Sequence, residues 1–108
     1  MSLWSKNMFK NTQVQAVGIA WFRDSESYQK ALSIFNDADN LPSSYGEWLL
    51  KTKQLYKVVK RSGKIPVKAE IDPDTFPEWC RDRGLNIDAD ARMEFANSTA
   101  LEFIQNII

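Results

Sequence analysis

Apolar residues recur along this chain in two rhythms, and the switches between them outline the fold. Residues 14–22 are almost continuously apolar, with Ala16, Gly18 and Ala20 alternating against Val17, Ile19 and Trp21. Side chains alternate across a strand. This stretch therefore reads as a buried strand whose small face lets a helix backbone come close and whose large face fills a core layer. After Asp24, a helix cap, the residues Tyr28, Ala31, Leu32 and Phe35 fall at helical spacing and predict a short helix to about Asn36. The polar run at residues 36–40 breaks it. A second helix is expected over residues 44–61, with Tyr45, Trp48, Leu49, Thr52, Leu55, Tyr56 and Val59 on one broad arc and Gly63 closing it.

The rhythm then changes to period two. Ile65, Val67, Ala69 and Ile71 alternate with Pro66, Lys68 and Glu70, which marks a half-exposed strand. Pro66 has no N–H to donate, so it belongs on a sheet edge or at the strand start. Asp72-Pro73-Asp74 is turn chemistry. A third helix follows from Thr75 to near Gly84, with Pro77 in its first turn, where a missing N–H costs nothing. A fourth opens at residues 87–90 and places Ala89, Met93, Ala96, Ala100, Phe103 or Ile104, and Ile107 on one side. The order strand-helix-helix-strand-helix-helix predicts an α+β domain over residues 14–108. Its small, mostly parallel sheet is covered by helices, because the long crossover between the strands favours parallel pairing. Two strands alone are marginal, and the first is apolar on both faces. Either residues 1–13, a flexible or edge-covering segment with its strand near residues 7–12, or a second chain is expected to extend the sheet. The apolar C-terminal tail also needs cover, so the preferred expectation is a homodimer.

Two helix starts share a pattern. Ser44-Tyr45-Gly46-Glu47-Trp48 and Thr75-Phe76-Pro77-Glu78-Trp79 both run hydroxyl, aromatic, any residue, Glu, Trp. A Ser or Thr followed three residues later by Glu predicts a capping box, with Trp entering the first turn from a fixed direction.

Composition removes whole classes of chemistry. The chain has 108 residues, 14 basic and 14 acidic, no histidine and one cysteine, Cys80. The commonest general base and transition-metal ligand are thus missing, and Cys80 has no imidazole to activate it. No internal disulfide can form, and neither a membrane-spanning run nor a signal-peptide pattern is evident, which points to the cytoplasm. Charge is uneven nonetheless. Residues 51–68 carry seven Lys or Arg and no acid, whereas residues 69–108 carry nine acids against three Arg. The basic stretch reads as a solvated helix face, and nucleic acid is not an expected partner.

What chemistry remains gathers at the strand ends. In open sheets with helical crossovers, ligands bind beyond the carboxyl ends of the strands, here at Arg23 and Asp24 and at Asp72 and Asp74. Glu47, Trp48, Glu78, Trp79 and Cys80, from the two helix starts, stand as further ligand-binding candidates. The bland account is that these aspartates cap helices and form turns. The spacing matches no calcium loop and no phosphate loop, so neither metal nor cofactor is expected and no catalytic residue is assigned.

Several strings together resemble a group of small uncharacterised bacterial proteins of about this length. They are Val17-Gly18-Ile19-Ala20-Trp21-Phe22-Arg23, then Leu41-Pro42 with Tyr45 and Glu47-Trp48, then Ile71-Asp72-Pro73, Phe76, Trp79-Cys80-Arg81 and Arg83-Gly84-Leu85. The resemblance spans residues 14–85 and implies a bacterial, intracellular single domain, with no activity or small-molecule ligand attached. The resulting expectation is a non-catalytic binding or association module. The alternative is a small enzyme or ligand-binding protein using the carboxylate and arginine pocket at the strand ends.

Overall fold

The small face of the first strand decides how the layers meet. In the computed structural model, which describes residues 15–107, β1 (Ala16–Trp21) pairs in parallel with β2 (Ile65–Glu70), with Gly18 opposite Val67 and Ala20 opposite Ala69. Between them run α1 (Ser25–Ile34), a 3-10 turn (Ala38–Asn40) and α2 (Tyr45–Arg61); after them come α3 (Phe76–Asp82) and α4 (Ala89–Ile107). This is the expected α+β order, with the parallel two-stranded sheet between helices. The N-terminal strand expected near residues 7–12 lies outside the described residues. Among the described residues no helix is long and apolar enough to cross a membrane.

Helix α4 lies on the small face of β1. Its backbone comes so close at Ala96 that a Cβ built on Gly18 would stand 1.9 Å from the Ala96 carbonyl oxygen. Helix α2 covers the opposite, large face. There Trp21 meets Trp48 edge-on at 5.6 Å and Tyr56 at 6.2 Å, and Lys68 Nζ sits 4.4 Å over the Trp21 ring. Phe22, Tyr28, Ile71, Phe76 and Cys80 complete the centre of the core. Buried Tyr28 donates its hydroxyl to the Pro42 carbonyl, so its polar end is satisfied.

Two expectations about helices need correction. On α4 the buried positions are Ala91, Ala96 and Ala100, while Met93 and Ile107 of the expected apolar side are exposed, as is Leu101. Ala96 lies where the helix backbone closes on Gly18, whereas Ala91, on another side of the helix by its 3.6-residue period, is buried with the main core. The paired helix starts also differ. Ser44 Oγ accepts the Glu47 N–H at 3.2 Å, whereas Thr75 has helical backbone angles and its side chain caps no N–H. Asp72 instead accepts the Asp74 N–H on Oδ1 at 2.9 Å, in the turn before the helix, and the Phe76 N–H, at the helix start, on its carbonyl at 2.9 Å. A Ser44→Ala variant is accordingly expected to lose about 1 kcal/mol in urea unfolding, and Thr75→Ala only a few tenths.

Candidate functional site

The charged strand ends form an open surface on which each carboxylate has a local partner. Asp24 is the N-cap of α1. Its Oδ1 accepts the Ser27 N–H at 2.8 Å, which holds the carboxyl below its usual range, and Oδ2 lies 3.9 Å from the Arg23 guanidinium. Asp72 closes the turn before α3. Asp74 meets Lys30 Nζ at 3.1 Å, an exposed pair that raises the lysine, with Glu26 and Asp72 adding to the same field. Lys30 was not among the residues singled out from the sequence, since nothing local relates it to a turn far along the chain. Among the described residues no three His, Cys, Asp or Glu side chains converge as a metal site.

The remaining candidates separate. Glu47 is exposed on the first turn of α2 and lies 3.9 Å from Lys51, and Glu78 is exposed on the first turn of α3. Trp48 is buried, edge-on to Phe22 at 5.1 Å and stacked on Tyr45 at 5.6 Å. Trp79 is half-buried, stacked on Phe76 at 5.7 Å with the Arg83 guanidinium 4.0 Å over its ring. Cys80 is fully buried, and that burial pushes its thiol up, away from the thiolate a nucleophile needs. The strand ends thus bring together Arg23, Asp24, Asp72 and Asp74 as an exposed capping surface, apart from Trp48 and Cys80 in the core.

A concave surface lies elsewhere among the described residues, along the side of β1 away from β2. A groove of about 230 Å³ has Gly18, Ile19 and Ala20 as its floor, Thr52 and Leu55 of α2 as one wall, and Arg92, Met93 and Ala96 of α4 as the other. Leu55 is 49% exposed and Met93 62% exposed. The sequence arc had put Leu55 in the core; the structure moves it to the groove rim because Trp48, Thr52, Tyr56 and Val59 already cover the sheet. The inner end holds the one nearly buried ion pair among the described residues. Arg92 donates from Nη1 and Nη2 to the two Asp37 carboxylate oxygens at 2.9 and 2.7 Å and stacks 4.6 Å from the Phe35 ring centroid.

The pairing rule for parallel strands tells which backbone groups line this groove. The Ile65 and Ile71 N–H groups donate to the Gln15 and Trp21 carbonyls, each at 2.8 Å. Odd-numbered residues of β1 therefore direct both backbone groups toward β2, and Ala16, Gly18 and Ala20 direct theirs the other way. Phe22, next in that alternation, accepts the Tyr45 hydroxyl on its carbonyl at 3.0 Å from the α2 side. The one sequence signal for this site was the strand apolar on both faces, which has no polar face to give to water. Compared with protein-family models, curated proteins and solved structures, the chain matches none.

Proposed function

We propose that this protein is a non-catalytic association module that works by offering the open edge of β1 to another polypeptide strand. One observation carries the reading: the N–H and C=O groups of Gly18 and Ala20 line an apolar groove whose walls expose Leu55 and Met93. Backbone hydrogen bonds along such an edge supply affinity, and apolar walls supply side-chain contacts. The strand-end carboxylates favour a catalytic or ligand pocket less, being exposed and engaged as caps and in ion pairs.

The test is a photo-crosslinking residue placed at Met93 in living cells, with Lys57 as a control position on the far side of α2. Covalent adducts to a second polypeptide from position 93, absent from position 57 and lost on Ala20→Pro, are the expected result. Proline at position 20 removes an N–H that points away from β2, so the existing ladder keeps its bonds while the open edge is blocked. No intermolecular adduct from position 93 would overturn the reading.

A further inference from the structure

We infer that the strand which extends this sheet is β1 of a second copy, paired antiparallel about Gly18; this rests on the reading of the β1 edge as the association surface. The two edges of the sheet are unlike. On β2 the residues whose backbone groups point outward are Pro66, Lys68 and Glu70, because those of Ile65, Val67, Ala69 and Ile71 point toward β1. A proline whose missing N–H falls on the outer side, with charged neighbours, is how an edge is kept from pairing. On β1 the outward residues are Ala16, Gly18 and Ala20, with neither proline nor charge among them. Among the described residues, one edge is guarded and the other is left open.

The open edge is complementary to itself. Antiparallel pairing centred on Gly18 sets Gly18 opposite Gly18 of the other copy and Ala16 opposite Ala20. All three are positions whose N–H and C=O point outward, so each pair exchanges both N–H···O bonds. The flanks permit it. Around Leu55 on α2 stand Val58, also exposed, and Lys51, held 3.9 Å from Glu47 on its own helix. Lys53, Lys57 and Lys60 project from the other sides of the helix by its 3.6-residue period. On α4 the neighbours of Met93 one and two turns on are Asn97 and Leu101, both uncharged. Identical surfaces therefore meet with apolar residues and without a face-to-face array of lysines, and the chain carries no net charge to oppose self-association.

A second copy gives the order β2-β1-β1-β2, with the proline-guarded edges outermost. It also relieves the marginal stability of an isolated strand pair. A closed two-fold of this kind uses the same patch on both copies and cannot propagate into a fibre.

Light scattering should give twice the 12.5 kDa chain mass at about 50 µM. Ala20→Pro should give the single mass with unchanged far-ultraviolet circular dichroism, as should Leu55→Lys combined with Met93→Lys, while Lys57→Ala stays dimeric. Amide exchange supplies the register. Ala16, Gly18 and Ala20 should slow by about tenfold or more between dilute and concentrated protein, with Val17 and Ile19, already bonded to β2, unchanged. A monomer throughout, or a dimer indifferent to both sets of variants, overturns the inference. So do position-93 adducts to a different polypeptide, which leave the association reading standing, and adducts to residues 1–14 of the same chain, which remove both.

Discussion

Gly18→Ala should destabilise this protein by about 3 kcal/mol or more, a fall in Tm of about 12 °C, although the change adds a single methyl group. The added Cβ would lie 1.9 Å from the Ala96 carbonyl oxygen and 2.5 Å from its carbon. Both are backbone atoms of α4, so no rotamer change makes room; the helix must lift off the small face of β1 or the strand must bend. Lifting α4 loosens Ala96 and Ala100 against the sheet together. Trimming the opposing side chain gives no relief, and Gly18→Ala with Ala96→Gly should be no more stable than Gly18→Ala alone. Gly46 supplies the opposite sign. Nothing lies within 4 Å of a Cβ built there, on the first turn of α2, so Gly46→Ala should be neutral or raise stability by about 0.5–1 kcal/mol. Urea unfolding of the three variants checks all of this. A Gly18→Ala midpoint equal to that of the parent would mean that α4 is not seated on β1 as described.

Breaking the Arg92–Asp37 pair should cost a similar amount and carry a pH signature. The side chains are 12% and 18% exposed, the guanidinium makes two parallel bonds to the carboxylate, and the pair ties α4 to the chain after α1. Removing one partner leaves the other charge largely desolvated, which costs about 3 kcal/mol. Asp37→Asn and Arg92→Met should each show it, by a fall in Tm of about 12 °C at neutral pH. Replacing both, as Asp37→Leu with Arg92→Met, should recover most of the loss, because neither charge is then stranded. The hydrogen bonds from Arg92 hold the Asp37 carboxyl below its usual range. A carboxyl depressed in the folded state contributes stability that is present above its unfolded value, about 3.9, and is lost as the pH falls through the folded one. The gap in Tm between parent and Asp37→Asn should therefore be full at pH 7 and close as the pH falls below about 4. A gap of constant size down to pH 2 would place its origin in packing rather than in the pair.

Much of the local structure was legible because local rules govern it. Asp24 before a helical stripe, Ser44 three residues before Glu47, Pro77 after Thr75 and the positive φ of Gly63 and Gly84 each follow from the bonding needs of a helix end. The failures have one physical form. Thr75 carries the same signature as Ser44, yet its backbone is already helical and its hydroxyl donates to the Asp72 carbonyl, so it caps no N–H. Leu55 and Met93 have the helical spacing of core residues, but on both helices the sheet is already covered by neighbouring positions, which leaves these two on the flank. Periodicity fixes which residues share a side of a helix and leaves open how that side is rotated against its neighbour.

The sequence by itself determined the order of elements, the parallel pairing implied by a long crossover, the small and large faces of β1, and the absence of any imidazole or cysteine pair for catalysis. Only the tertiary structure decided where concavity lies. The Lys30–Asp74 and Arg92–Asp37 pairs join residues 44 and 55 positions apart. The groove along β1 exists because α2 and α4, distant in the chain, wall the same strand edge. Strand and helix signals are read from neighbours a few residues away. A groove is a relation between elements whose contact depends on how closely their surfaces can approach, and here Gly18 set that approach.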